Sequence, residues 1–161
     1  MIGVETDVSG DWDARTDWEA LARRSVHAAV AASRHSGLCD NEISVKFTTD
    51  DEVRALNAAW RGKDKPTNVL SFPMAAESEL ANAPLLGDIV LAHGVCAGEA
   101  ADKQVAIATH AAHLVVHGTL HLLGYDHETS AADAEAMEDA ERRALASIGI
   151  ADPYHVSEVE P

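Results

Sequence analysis

Three histidines at the end of an apolar segment limit what this chain can fold into more than any other feature. His117 and His121 are four residues apart, so on a helix their imidazoles lie on one face. Gly124 can adopt the left-handed conformation that ends a helix, and His127 follows it in the segment HGTLHLLGYDH. The spacing therefore predicts a helix that ends in a turn, with the three side chains directed at one point.

Three neutral imidazoles directed at one point form a ligand set for a metal ion. Imidazole nitrogen suits Zn2+ better than Mg2+ or Ca2+, which prefer oxygen ligands. One zinc ion held by His117, His121 and His127 would keep a fourth position open for water, which is typical of catalytic rather than structural zinc sites. We therefore expect one Zn2+ ion and the chemistry of a hydrolase.

The same segment contains a competing pair of histidines. His113 and His117 are also four residues apart, and His110 precedes them on the same predicted helix. The set that ends in His127 is preferred because only that set has a helix-ending glycine, Gly124, between its second and third members. His113 is then expected in the core or beside a ligand, but the spacing alone leaves the assignment open.

Composition and terminal sequence predict one globular domain over residues 1–161, with 47% hydrophobic and 24% charged residues. The longest apolar stretch, residues 105–116, is interrupted by two histidines and is shorter than the roughly 20 residues of a membrane span. The acidic N-terminus lacks the basic and apolar regions of a secretory signal. We expect a cytoplasmic protein with no membrane partner and a mobile tail after residue 152.

Residue patterns along the chain predict an α+β domain, in which a small mixed sheet packs with about five helices. Apolar residues alternate with polar ones over residues 42–49, and Thr16 and Thr49 each begin a capping-box pattern. The expected elements are an edge strand over 1–8, a helix over 17–35, a strand over 42–49, a helix with Val53, Leu56 and Trp60 on its apolar face, a short strand over 69–72, a loop over 74–84, a strand over 87–93, one or two helices within 97–123, and a last helix capped by Ser130 and ended by Gly149.

A short basic segment stands out in an acidic chain. The formal net charge of -15 argues against wholesale coating by nucleic acid. Nevertheless Arg61, Lys63 and Lys65 lie within five positions and are three of only 12 Lys and Arg residues. Such a cluster can bind phosphate, whereas Arg61 at a helix C-terminus can also simply complement the helix dipole, an effect of about 0.3–1 kcal/mol. The residues alone support both interpretations equally.

The histidine segment and several others together resemble a known family. The spacing HxxxHxxGxxH is that of metzincin proteases, but Gly118 occupies the position of their glutamate base, which weighs against peptide hydrolysis. The whole segment HGTLHLLGYDH is similar instead to the signature of the YbeY family of zinc-dependent endoribonucleases. Further matching segments follow the family's order, so that the resemblance spans about residues 40–148: Leu56-Asn57, WRGKDK at 60–65, PTNVLSF at 66–72 and LGDI at 86–89.

This resemblance implies a zincin-like fold and a specific activity. The activity is zinc-dependent cleavage of single-stranded RNA in ribosomal RNA maturation, at the 3′ end of the small-subunit rRNA, together with ribosome quality control. The implied partners are RNA and the ribosome or its small subunit. The residues that carry over are the zinc ligands His117, His121 and His127 and a catalytic arginine, Arg61. Lys63 and Lys65, which share the basic cluster with Arg61, are expected to bind RNA.

Asn68 departs from the family pattern, which more often has aspartate in this position of a TDVLSF segment. We expect the asparagine to keep the shape and the acceptor oxygen of the aspartate while losing its charge. Two other functions remain as alternatives: a zinc hydrolase similar to metalloproteases, and a non-catalytic RNA-binding ribosome-assembly factor whose metal serves folding alone.

Overall fold

The fold was determined as a computed structural model, which describes residues 1–126 and 130–153. His127 and, apart from Pro153, the predicted mobile tail after residue 152 lie outside the described residues. The elements are β1 (Gly3–Val8), α1 (Trp18–Ala32), β2 (Glu42–Thr48), α2 (Asp50–Arg61), β3 (Val69–Pro73), a 3₁₀ helix (Glu77–Asn82), β4 (Leu85–Ala92), α3 (His93–Lys103), α4 (Ile107–Leu122) and α5 (Ala131–Ser147). The predicted α+β class is confirmed.

The four strands form one mixed sheet in the order β1-β2-β4-β3. β1, β2 and β4 run parallel, and β3 pairs antiparallel with β4 at one edge. Parallel neighbours need a crossover connection, and α1 provides it between β1 and β2. The N-terminal segment is an edge strand, as the sequence predicts.

Helices pack on both faces of the sheet because side chains along a strand point alternately to opposite sides. Ile89 and Leu91 of β4 belong to the main core, which is shared with α1 and α4. Val90 and Ala92 instead join Val53 of α2 in a smaller cluster. α4 and α2 therefore lie on opposite faces of the same sheet.

The first two helices differ from the sequence expectation in the cap and end of α1 and in the exposure of Trp60. The N-cap of α1 is Asp17, whose carboxylate accepts a hydrogen bond from the Ala20 amide at 3.0 Å, so the predicted Thr16 cap was wrong and the helix ends at Ala32 rather than 35. Thr49 does cap α2, accepting from the Glu52 amide at 3.2 Å. Trp60, predicted on the apolar face of α2, is 72% exposed.

The segment predicted as a loop over residues 74–84 contains the 3₁₀ helix. Leu80 anchors it, because this side chain is buried in the main core. The Asn41 side chain adds hydrogen bonds to the carbonyls of Leu80 at 2.9 Å and Ala83 at 2.6 Å. The following strand begins at Leu85 and ends before His93, which starts α3 instead.

The C-terminal half of the described chain follows the helix predictions. The segment expected to hold one or two helices forms two, α3 and α4. Ser130 caps α5 by accepting from the Asp133 amide at 3.1 Å. In the described part of the chain, no helix is both long enough and apolar enough to cross a membrane.

Gly87 gives a test of how closely β4 approaches its neighbours. Its φ is +151°, and a Cβ atom there would lie 2.5 Å from the Phe72 carbonyl oxygen and 2.7 Å from Leu122 Cδ2. We expect Gly87→Ala to lower the free energy of unfolding by about 2–4 kcal/mol, measured by urea denaturation.

Gly98→Ala is the matched control for that measurement. Gly98 lies within α3, and among the described residues no other segment comes within 4 Å of a methyl group placed there. Helix propensity then favours alanine, so the control should gain up to about 1 kcal/mol. Equal stability of the two variants would contradict the close approach at Gly87.

Candidate active site

α4 presents four histidines along one wall of a cleft of about 830 Å³. The other walls come from the end of α2, the start of β3, α3 and the turn after α4. The residues that line it are Arg61, Asn68, Val69, Ser71, Pro73, Glu99, Asp102, Lys103, His110, His113, Leu114, His117, His121, Gly124, Tyr125 and Asp126. The cleft therefore brings two predicted zinc ligands and the predicted catalytic arginine to one surface.

His117 and His121 direct the same ring atom at each other, with their Nε2 atoms 3.0 Å apart. The other ring nitrogen of His121, Nδ1, lies 3.0 Å from the backbone carbonyl oxygen of Tyr125. A carbonyl oxygen only accepts hydrogen bonds, so His121 donates from Nδ1. In the neutral ring, Nε2 therefore carries the lone pair.

The same reasoning applies to His117. Its Nδ1 lies 2.9 Å from Oε2 of Glu141, a carboxylate on α5 that is 1% exposed. When the ring donates to this carboxylate, its Nε2 also carries a lone pair. Two lone pairs that face each other need a cation or a proton between them. Two nitrogen ligands of one tetrahedral zinc ion are separated by roughly 3.3 Å, so the observed distance fits a pair of zinc ligands.

The third predicted ligand, His127, lies outside the described residues. Within residues 1–126 and 130–153, no group of three or more His, Cys, Asp or Glu side chains is arranged to hold a metal ion. Two of the three predicted ligands are thus brought together here. The three-histidine set itself stays a prediction.

The competing histidine, His113, has a different geometry. Its Nε2 lies 3.2 Å from the same Glu141 oxygen that His117 contacts. The ring centroids of His113 and His117 are 6.3 Å apart, compared with 4.6 Å for His117 and His121. His113 thus contacts the carboxylate that orients His117.

Gly118 faces the sheet rather than the cleft. A Cβ atom at this position would lie 3.0 Å from both Ile89 Cγ2 and Ser71 Oγ, and the Ser71 hydroxyl donates to the Gly118 carbonyl at 3.3 Å. There is no space here for a side chain as large as glutamate. The position that carries the general base in metzincins therefore points into packed structure in this chain.

The three basic residues of the sequence cluster occupy different places. Arg61 is exposed at the end of α2 and lines the cleft. Gly62 ends this helix in the left-handed conformation, with φ 70°. Lys63 and Lys65 follow on the surface and do not line the cleft. Of these three basic residues, Arg61 alone lines the cleft that contains the histidines.

A second hydrogen-bonded group lies in the same cleft around Glu99. His110 is 3% exposed and its Nε2 lies 2.7 Å from Glu99 Oε1. Burial lowers the pKa of His110, an effect that the hydrogen bond to Glu99 partly opposes. The Asn68 side chain donates from Nδ2 to Glu99 at 3.1 Å and accepts from the Val69 amide at 2.7 Å. Asn68 thus uses both its donor and its acceptor.

Known proteins match the chain over nearly its whole length. Residues 7–149 match the family model described as Endoribonuclease YbeY. The Endoribonuclease YbeY of Novosphingobium aromaticivorans is 51% identical over 162 residues, which cover 96% of this chain and 97% of that protein. The one from Rhizorhabdus wittichii is 52% identical over 169 residues, or 98% of this chain and 99% of that protein. The chain belongs to the YbeY endoribonuclease family.

One solved structure has a fold similar to that of this chain. The solution structure of TM1509 from Thermotoga maritima has a TM-score of 0.58 and 23% identity, and the match covers 90% of this chain and 91% of that one.

The family model and the named relatives confirm the family and the enzyme class predicted from the sequence. The class is an endoribonuclease and hence a hydrolase.

Sequence reasoning missed Glu141, although the sequence carries a signal for it. The buried residues of α5 recur at helical spacing, and Glu141 falls among them: Met137, Ala140, Glu141, Ala144 and Leu145. A charged residue in the apolar stripe of a helix calls for a buried partner. Glu99 and Lys103 were also missed, because both follow an ordinary surface pattern on α3.

The hydrogen bond between Asn68 and Glu99 predicts that Asn68→Asp is unfavourable in this chain. The variant loses the Nδ2 donor and sets two carboxylates about 3 Å apart, so we expect a loss of about 1–2 kcal/mol at pH 8. The like charge raises the folded-state pKa of the new carboxyl above its unfolded value. Its unfavourable contribution is therefore absent well below the unfolded pKa of about 4, grows as the pH rises from that value to the higher folded pKa, and is constant above it.

Urea denaturation at pH 5 and pH 8 measures this effect, with Asn68→Ala as the control. The alanine variant loses the same hydrogen bond without adding charge, so its destabilisation should change less with pH. An aspartate variant as stable as wild type at pH 8 would show that Glu99 has another compensating arrangement.

Proposed function

We propose that this protein is a zinc-dependent endoribonuclease that cleaves single-stranded RNA in ribosomal RNA maturation, at the 3′ end of small-subunit rRNA, and takes part in ribosome quality control. The observation that carries the proposal is the 3.0 Å approach of the His117 and His121 Nε2 atoms in a cleft that Arg61 also lines. The relatives from Novosphingobium and Rhizorhabdus are both named endoribonucleases, which supports RNA as the substrate. The proposed compartment is the cytoplasm.

In this proposal one Zn2+ ion is held by His117, His121 and His127. When bound, zinc lowers the pKa of water to about 7 and polarises phosphoryl oxygens. The protein holds two imidazoles in the tautomer whose Nε2 atoms face each other, through the Tyr125 carbonyl and the Glu141 carboxylate. This fixed orientation lowers the reorganisation needed for metal binding.

Arg61 contacts the phosphate in the proposed mechanism. Its planar guanidinium matches two phosphate oxygens at once, which a lysine ammonium does not. The position at the end of α2 leaves this group exposed on the cleft wall. Lys63 and Lys65, on the surface beyond the same helix, are proposed to bind RNA outside the cleft.

Single-stranded RNA suits this site better than a duplex. The bases of a single strand can be splayed apart, so that one phosphate reaches the bottom of a concave cleft, whereas a helix holds its phosphates on a rigid convex surface. The net charge of -15 opposes the approach of free RNA and makes its binding weak. We propose that the ribosome or its small subunit supplies further contacts.

His121→Ala tests the metal centre. Removing one of two converging imidazoles should abolish stoichiometric zinc, measured by mass spectrometry of the purified protein, and reduce cleavage of a single-stranded rRNA fragment at least about 100-fold. Full cleavage by a zinc-free variant would reject the histidines as the active centre. Cleavage of an unstructured peptide would favour the metalloprotease alternative. If the protein cleaves no RNA and unfolds when its metal is chelated, the assembly-factor alternative is favoured.

Arg61→Ala tests the phosphate contact separately from the metal. We expect zinc content to stay as in wild type while kcat/KM for RNA falls by about 10- to 100-fold. Arg54→Ala is the matched control, because Arg54 lies on the same helix but pairs with Asp64 at 2.8 Å and does not line the cleft. Equal losses in both variants would indicate a general charge effect rather than a contact made by Arg61.

A further inference from the structure

The carboxylate of Glu141 lies in an unfavourable environment. It is the one acidic residue in the described chain that is fully buried, with 1% of its surface exposed. Its neighbours along α5, Met137, Ala140 and Ala144, are themselves buried in an apolar cluster. An acidic group in such surroundings is costly unless it is well paired, which suggests that it serves a purpose other than stability.

Two imidazoles of α4 converge on one oxygen of this carboxylate. Glu141 Oε2 lies 2.9 Å from His117 Nδ1 and 3.2 Å from His113 Nε2. A neutral imidazole in water carries its proton mainly on Nε2. The contact with Glu141 instead places the proton of His117 on Nδ1 and directs the lone pair of its Nε2 toward His121 Nε2.

We propose that Glu141 is a positioning residue for the metal centre. It holds His117 in the tautomer that can ligate a cation and places a negative charge one imidazole away from that cation. This inference rests on the proposed function, because it requires a cation at His117 and His121. His113 donates to the same oxygen and so helps to keep the charge in place without being a ligand.

The proposal separates metal affinity from the stability of the metal-free fold. Removing a carboxylate that orients a histidine ligand typically weakens metal binding by about 10- to 100-fold. Glu141→Gln keeps an oxygen that can accept hydrogen bonds from the imidazoles and removes the cost of burying a charge, so we expect the fold to be no less stable. If Glu141 were only a structural residue, its replacement would have the opposite effects: a less stable fold and an unchanged affinity for zinc.

The test compares Glu141→Gln with wild type in a zinc competition titration against a chromophoric chelator. We expect about 10- to 100-fold weaker zinc binding and a urea midpoint of the metal-free variant that is unchanged or higher. Glu138→Gln is the matched control, because it makes the same charge change on α5 at the surface, where Glu138 lies 3.5 Å from Arg142. It should bind zinc as wild type does. Equal affinity of Glu141→Gln and wild type would overturn the proposal.

A second measurement observes the tautomer of His117 directly. Long-range ¹H–¹⁵N NMR on metal-free wild type should show His117 protonated on Nδ1, and in Glu141→Met the proton should move to Nε2. A wild-type His117 protonated on Nε2 would overturn the positioning role even if zinc binds. A wild type with this tautomer that binds no zinc would instead contradict the proposed function, and Glu141 would then have no metal to position.

Discussion

The contact between α4 and the sheet at Gly118 is the constraint on which the site depends. A single added carbon there would lie 3.0 Å from Ser71 Oγ and Ile89 Cγ2, so the helix lies directly on β3 and β4. His117 and His121 share one face at the spacing of a helical turn, and they face the cleft because Gly118 faces the sheet. A larger residue at this position would lift the helix and move both imidazoles together.

The cleft combines side chains from both faces of the sheet. α4 packs on the face of the main core, whereas α2, which carries Arg61 at its end, packs on the other face. The two meet beside β3, the antiparallel edge strand, whose first residue, Val69, lines the cleft. The imidazoles and the guanidinium are therefore held by separate elements that pack on opposite faces of the sheet.

The sequence predicted features that depend on neighbours within one helical turn or along one strand. The caps at Thr49 and Ser130 are of this kind, and so is the shared face of His117 and His121. Glu141 could not be assigned a role in this way, because its partner His117 is 24 residues away and only the packing of α5 on α4 brings them together. Trp60 has the spacing of a core residue, but α2 buries its N-terminal part through Val53 and leaves its last turn exposed. The partner of Glu141 and the exposure of Trp60 thus depend on long-range packing, which local sequence patterns do not predict.

Charge distribution explains how an acidic chain can act on a polyanion. With a net charge of -15, the surface as a whole repels RNA, but at physiological ionic strength this field decays over about 8 Å. Among the described residues, Arg61 and Lys103 line the cleft together with the acidic Glu99 and Asp102. Since few phosphates are neutralised, few counterions are released, and the affinity for free RNA stays low. In the proposed mechanism, selectivity comes from the fit of one phosphate between Arg61 and the imidazoles, and the acidic surface weakens the binding of other RNA.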